Sequence, residues 1–372
     1  MHVGGRAQTM NVAGMALDLG CGWLHSGERN PWTAIAEASG FAVDRSEAAW
    51  RAQYRNLGFS SADQHAAATA WDAFQHRLEH AAPPGDRASD ALDPGSPWNA
   101  YAEALSGYIN GASLRRLSIA DYLAYDGAAS ESNWRVREGY GTLVAASLPP
   151  VPLMLATPVT AIDHGGHRVR LETRAGTIEA RAAIVTVSTA ILAAGRIRFS
   201  PAMDTHLHAA ACLPLGLADK LFLALADGHG LEPETHLLGN PRSAETGSYY
   251  LMPLARPVIE GFYGGAGAAA IERVGLAGAF AFAIDELAAL LGSDIRARVR
   301  PIAVSAWRRA DHVGGSYSHA LPCHADRRAA LATPIDRLFF AGEATHETDF
   351  STAHGAYETG IRAAEQALRI LS

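Results

Sequence analysis

Two stretches hold residue types whose placement points to chemistry. The first surrounds a single lysine: of 31 basic residues only Lys220 is not an arginine. Nucleotide bias in a GC-rich genome explains arginine wherever only a positive charge is wanted. It explains poorly a lysine kept inside the apolar run LPLGLADKLFLAL. A compact ammonium there can shed its proton when desolvated, which a guanidinium cannot. The second stretch is LFFAGEATHETDFSTAHGAYETGIRAAEQAL, residues 338 to 368. A buried apolar strand delivers Gly342 and Glu343 at its carboxyl end, the end where ligands of open α/β sheets sit. Gly342 lets a bound group approach the backbone, and Glu343 can accept hydrogen bonds from sugar-like hydroxyls. The next helix opens on small residues, and its N-terminal amides and dipole favour an anion. An ordinary strand–loop–helix unit, with glycine for packing, accounts for the same letters.

The remaining candidates are weaker. Gly265 to Ala270 fits GxGxxA after the strand VIEGFYG. The acid that pattern requires about 20 residues on is Asp285. It falls inside a helix, so Ala/Gly packing is the better reading. His164 and His167 flank a Gly-Gly turn. His206 and His208 are spaced to share a strand face but have no Cys or acidic partner nearby, so no metal site is expected. No Walker loop, GxSxG elbow or HExxH occurs.

The elements that must position these residues can be read from periodicity. Pro31 with Asn30 as cap marks a helix start. Residues 46 to 129 read as mostly helical, interrupted by an exposed loop at Pro83 to Pro97. Residues 138 to 148 form a short helix opening on two glycines. Arg168 to Arg174 alternates with period two, Ala175-Gly176 supplies a turn, and AAIVTV reads as a strand covered on both faces. Lys220 lies on the first strand of a second region. Pro257 to Tyr263 is another strand there, and a long helix spans about Ala268 to Leu291. The last helix, about Ala353 to Ile370, puts Tyr357, Ile361, Ala364, Leu368 and Leu371 on one face, expected to be the buried one.

Composition sets the outer bounds. A length of 372 residues suggests two to three domains at ~150 residues each. An apolar share of 48% and a charged share of 19% describe a chain that builds a large core. A net charge of −7 gives no electrostatic case for nucleic acid or an anionic membrane surface. The apolar stretch Ala266 to Ala283, broken by Glu272 and Arg273, reads as too short and too polar to span a membrane. Cys21, Cys212 and Cys323 are scattered and odd in number, which suits a reducing compartment, and a cytoplasmic location is expected.

Residues 338 to 368 resemble the C-terminal signature of the flavin-containing amine oxidases, most of all the polyamine oxidases. GGRAQT, GCGWLHSGERNP, EGYGTL, the VTAI…AAIVTVS block, GLADKLFL and AWRRADHVGGSYSHA occur in that family's order. The resemblance implies FAD as cofactor. It assigns Gly4, Gly5 and Arg6 to the FAD diphosphate, Val159 to the adenine side and Glu343, beside Gly342, to the ribityl–phosphate region. Thr352, Ala353 and Gly355 at the last helix would face the isoalloxazine, with Trp307 and Tyr317 as flavin-side aromatics. Lys220 matches the lysine that holds a water against flavin N5, and His25 matches a substrate-side histidine.

The implied fold is α/β and α+β: a Rossmann-like FAD domain over 1–45, 130–205 and 306–372, and a substrate domain over 46–129 and 206–305. The implied reaction is oxidation of a small amine by hydride transfer to flavin N5, giving an imine and, with O2 as acceptor, H2O2. The family's strand–GxGxxG–helix unit, about 30 residues, does not precede the GGR motif here. That unit supplies the pyrophosphate's helix N-terminus and the ribose carboxylate. The chain as written is therefore expected to bind FAD weakly. A non-catalytic remnant that holds no FAD is the rival expectation, and a related flavin oxidase of amino acids or another amine is a third.

Overall fold

The computed structural model describes residues 3–371. The chain opens with an antiparallel hairpin, β1 (Thr9–Val12) and β2 (Met15–Asp18), followed by β3 (Leu24–His25). Helix α1 (Pro31–Ala38) starts as expected: the Asn30 side chain accepts from the Trp32 amide at 3.0 Å, and Pro31 takes the first helical position. Beyond β4 (Val43–Asp44) come α2 (Ser61–His80), α3 (Asn99–Asn110) and α4 (Ile119–Ala128). The Pro83 to Pro97 segment is not simply an exposed loop. Ala88 and Ala91 are buried with Phe74, Leu78 and Leu117, because side chains this small let the loop backbone descend onto α2.

β5 (Asn133–Val136) pairs with both β3 and β4, and α5 (Tyr140–Ala146) starts at Gly139. Then come β6 (Val159–Asp163), β7 (Val169–Thr173), β8 (Gly176–Ala180), β9 (Ala183–Val185), α6 (Thr189–Ala193), β10 (Arg198–Ser200) and α7 (Asp204–Cys212). The sheet order is β10-β6-β7-β8. In the β7–β8 hairpin Thr173 pairs with Gly176, so the turn residues are Arg174 and Ala175, one position earlier than the composition suggests. Val169 is fully buried and Leu171 packs against the same core. His206 and His208 lie on the helix α7, not on a strand, so they diverge: His206 is buried and its Nε2 donates to Thr333 O at 2.7 Å, while His208 is exposed.

The second body is an antiparallel sheet of β11 (Ala218–Leu225), β12 (Thr235–Leu238), β13 (Ser248–Leu251), β14 (Val258–Gly264) and β15 (Val299–Val304), in the order β12-β13-β14-β11-β15. Between β14 and β15 run α8 (Ala266–Leu291) and α9 (Ile295–Arg298). Period-two alternation sends Leu221, Leu223 and Leu225 into a core with Ile271, Ala279 and Leu287 of α8. Phe222 goes to the opposite face, against Leu17 of β2. A Cβ on Gly264 would stand 2.1 Å from the Gly107 carbonyl, so the glycines around Gly265 serve the close approach of α3, as the packing reading held. α8 is kinked at Gly275 (φ 73°). It is nevertheless long and apolar enough to cross a membrane, and little of its most apolar stretch is buried. The expectation that this region is too short and too polar is corrected: the helix does not stop at Ala283 but continues to Leu291.

The last elements are α10 (Arg327–Ala332), β16 (Leu338–Phe340) and α11 (Ala353–Leu371). β16 pairs in parallel with β9 alone. β9 was expected to be covered on both faces, yet Ile184 at its centre is 40% exposed while Val185 is buried, so only one face of the strand is covered. α11 keeps only part of its expected face inward: Tyr357 packs on Trp32, but further along the helix the apolar residues turn out. Gly355, Thr359, Ala363 and Ala367 are buried, while Ile361 is 44% and Leu368 65% exposed. The small residues let the helix lie close on β16, which leaves the larger ones outside.

Candidate active site

The site begins where β16 ends. Gly342 has φ 117°, a conformation that favours glycine, and an added Cβ would meet nothing nearer than Thr186 O at 3.9 Å. Its amide donates to Thr359 Oγ1 at 3.0 Å, fixing the strand end to α11. Glu343 is buried. Its carboxylate accepts from the Ser318 hydroxyl (2.6 Å), the Ser351 amide (2.9 Å) and the Arg6 guanidinium (3.0 Å). Burial pushes this carboxyl up, but Arg6, Ser318 and Arg328 outweigh it and hold the group below the usual glutamate value. Arg6 Nη1 also donates to Ser316 O, so one nitrogen of the guanidinium expected at a diphosphate is engaged within the protein. Gly4 and Gly5 precede it, both with positive φ, and a Cβ on Gly5 would meet nothing within 4 Å.

α11 is anchored at its start by Thr352, whose hydroxyl accepts from the Gly355 amide at 3.0 Å and donates to Asp349 O at 2.6 Å. Gly355 is required there, because a Cβ would lie 2.0 Å from Asp349 O. Ala353 O accepts from the Trp32 indole at 3.3 Å. Next to this turn, Asp349 takes two bonds from Arg29 and one from His354. Burial opposes its ionisation, but His354 and Arg29 hold it well below the usual aspartate value. His346 Nδ1 accepts from the Thr348 and Asp349 amides, so Nε2 carries the hydrogen and donates to Glu358 at 3.0 Å.

Lys220 points from β11 toward the hairpin β1–β2. Its side chain is buried and Nζ lies 2.9 Å from Glu260 Oε1. Gly22 lies directly against it: a Cβ there would stand 2.7 Å from Nζ. Burial alone would pull the amine down, but Glu260 and Asp18 more than offset it and keep Lys220 above the ordinary lysine value. A lysine can shed its proton when desolvated, but here this pair of acids favours the ammonium. Asp18 is satisfied separately, by the Thr9 hydroxyl and the Tyr140 and Gly141 amides.

His25 is half-buried on β3 and lies close to Lys220 and His354. Asn133 Nδ2 donates to Glu131 O, so its Oδ1 accepts from His25 Nδ1 at 2.6 Å, leaving Nε2 as an acceptor. Burial, helped by the nearby Lys220 ammonium, outweighs the Asn133 contact, which favours the charged ring, and leaves His25 lowered to about 4 and hence neutral.

Other residues named from the sequence sit further out. Trp307 is buried, and its indole donates to Leu19 O at 3.1 Å, bracing the β2 end. Tyr317 donates to Tyr108 O at 2.7 Å, toward α3. Val159 begins β6 and packs in the β6–β10 core, away from Lys220. Sequence reading missed Asp18, Glu260 and Arg135, which with Lys220, Trp23, Tyr250 and Arg256 line one cavity. Each lone acid in an apolar strand, MALD and VIEGFYG, was the available signal. Arg135 is sandwiched between Trp23 and Tyr250 and paired with Asp44 (2.9 Å) and Glu234 (3.0 Å).

The open space at Gly5 and Gly342 fits the phosphate and ribityl portion of a flavin, and the buried Lys220 and the α11 N-terminus fit its ring end. Comparison with known proteins bears on this directly. The sequence profile of the flavin containing amine oxidoreductases matches residues 70–368. Polyamine oxidase 3 of Oryza sativa subsp. japonica is 30% identical over 243 residues, 63% of this chain and 49% of its own length. Polyamine oxidase 2 of Arabidopsis thaliana is 30% identical over 241 residues, 63% of this chain and 48% of its own length. The chain spans about half the length of these curated relatives. Cyclohexylamine oxidase from Brevibacterium oxydans IH-35A superposes with a TM-score of 0.78 at 17% identity, covering 100% of this chain and 92% of that one. Putrescine oxidase bound to putrescine gives 0.75 at 15%, covering 99% and 92%. These two share the amine oxidase fold, a mixed α/β body joined to an α+β body. With most of its length matched by the family profile, the chain belongs to the flavin containing amine oxidoreductases.

Proposed function

We propose that this protein oxidises a small, polyamine-like amine with FAD as cofactor. The observation that carries the reading is the chain's single lysine, buried against Gly22 and close to His25. Gly4, Gly5, Arg6 and Glu343 would hold the flavin's phosphate and ribityl portion, and Thr352 to Gly355 would meet its ring. When bound, FAD supplies the hydride acceptor that turns the amine into an imine and passes the electrons to O2 as H2O2. The protein's own part is the charge state of the donor. A neutral amine is the competent form, and the Lys220 ammonium disfavours a second cation beside it. His25 Nε2 is free to accept a hydrogen bond from the substrate nitrogen, and burial of the site excludes water. We assign 1–45, 130–205 and 306–372 to the flavin side and 46–129 and 206–305 to the substrate side. Three unpaired cysteines support the cytoplasm as its compartment.

A second reading, a substrate-side body that holds no flavin, is favoured by one observation. Arg6, assigned to the diphosphate, already commits its Nη1 to Glu343 and Ser316. The visible spectrum of the purified chain, with and without added FAD, separates the two. Stoichiometric flavin bands that bleach anaerobically on adding putrescine or spermine support oxidation; no retained flavin supports the second reading. In the flavin-loaded chain, Lys220→Met should slow flavin reduction or reoxidation about tenfold or more, a barrier change of ~1.4 kcal/mol. Unchanged rates in stopped flow reject the assignment of Lys220.

A further inference from the structure

Glu260 lies in no motif of the sequence, yet the strand register brings it to the lysine. β11 and β14 are neighbours in which Phe222 stands opposite Glu260. Lys220, two residues before Phe222, shares its face, so Glu260 is the diagonal neighbour of Lys220. The two side chains meet at 2.9 Å with the amine 9% exposed and the carboxylate 20%. We propose that Glu260 is a positioning residue: its carboxylate fixes Lys220 as an ammonium and holds Nζ against Gly22, so the reacting amine meets a fixed cation there and not a base. This rests on the reading of Lys220 as part of an amine-oxidising site.

The groups around Nζ leave this task to Glu260. Asp18 of β2 is taken up by the Thr9 hydroxyl and two amides, so it acts on Lys220 only through space. Cys21, in the loop after β2, is pushed up to about 12, chiefly by burial, and stays a neutral thiol. His25 of β3 is neutral. Arg256, after β13, donates to the Ala16 and Arg137 carbonyls, and Arg6 is bound to Glu343. Among the described residues Glu260 is the carboxylate in hydrogen-bond contact with Nζ.

The single lysine makes the test direct. Isotope-labelled lysine gives one ε-carbon NMR signal, whose titration in the flavin-free chain reads the charge of this amine alone. The wild-type signal should hold its ammonium position to about pH 10 or beyond. In Glu260→Gln the midpoint should fall by at least about one unit, a tenfold change in acid dissociation. Asp18→Asn should move it less. Glu260→Asp, with the charge kept and the reach shortened, should lie between wild type and Gln, and decides alone if the Gln variant does not fold. An unchanged midpoint in Glu260→Gln, or in Glu260→Asp if only that variant folds, overturns the proposal, as does an equal fall in Asp18→Asn. Because no flavin is needed, a chain that fails to oxidise amines leaves this result standing. In the flavin-loaded chain, Glu260→Gln should also shift the pH profile of flavin reduction to lower pH.

Discussion

Arg6 and Glu343, 337 positions apart, form an ion pair of 3.0 Å that ties the entry loop to the carboxyl end of β16. The same carboxylate takes the Ser318 hydroxyl and the Ser318 and Ser351 amides. Glu343→Ala leaves a guanidinium and three other donors without their acceptor in a buried place. The expected cost is ~3–5 kcal/mol. Glu343→Gln, which keeps an acceptor oxygen, should cost less. Urea unfolding monitored by tryptophan fluorescence measures both, and a loss below about 1 kcal/mol for the alanine variant refutes the role.

Two glycines of α11 should respond in opposite directions. At Gly355 a Cβ meets Asp349 O at 2.0 Å, so Gly355→Ala must displace the turn that starts the helix. A loss of about 1–3 kcal/mol is expected. At Gly360 nothing lies within 4 Å, and Gly360→Ala should gain up to ~1 kcal/mol from helix propensity. Thermal melts of the pair decide it; equal effects would mean that contact at Gly355 is not what requires glycine.

Acid should destabilise the protein well before its carboxylates titrate. Burial lowers His25 and His236 to about 4 and His319 to about 3, against 6.5 in the unfolded chain. Their folded values are depressed, so the unfolded state binds more protons as pH falls below 6.5. Stability is full above that pH and is lost between 6.5 and each folded value, by about 2 kcal/mol per histidine at pH 5. Urea midpoints at pH 7 and pH 5 measure the slope, and His236→Gln should flatten it by one histidine's share. A midpoint that does not move between these pH values contradicts the buried neutral rings.

The outward stripe of α11 predicts tolerance. Leu368 is 65% exposed, so Leu368→Glu should change stability by less than about 0.5 kcal/mol. Ala363→Glu, on the buried side four positions or so from Thr359, should prevent folding or cost several times more. Comparable losses in the two variants would put the buried face of the helix where the amphipathic pattern had it.

Local chemistry was legible because it depends on near neighbours. Asn30 and Pro31 announced α1, the alternation at Val169 to Thr173 announced its strand, and the apolar run before Gly342 announced β16. A lone lysine in an apolar strand was enough to single out Lys220. Three things belong to the tertiary structure. The burial of α11 through its small residues follows from how close the helix comes to β16, which a hydrophobic pattern does not encode. The charge of Lys220 is set by Glu260 across a strand register and by Asp18 on a separate hairpin; burial by itself points the opposite way. Arg6 reaches Glu343 only because the chain returns to its own beginning, and spacing along a sequence carries no information about contacts 337 residues apart.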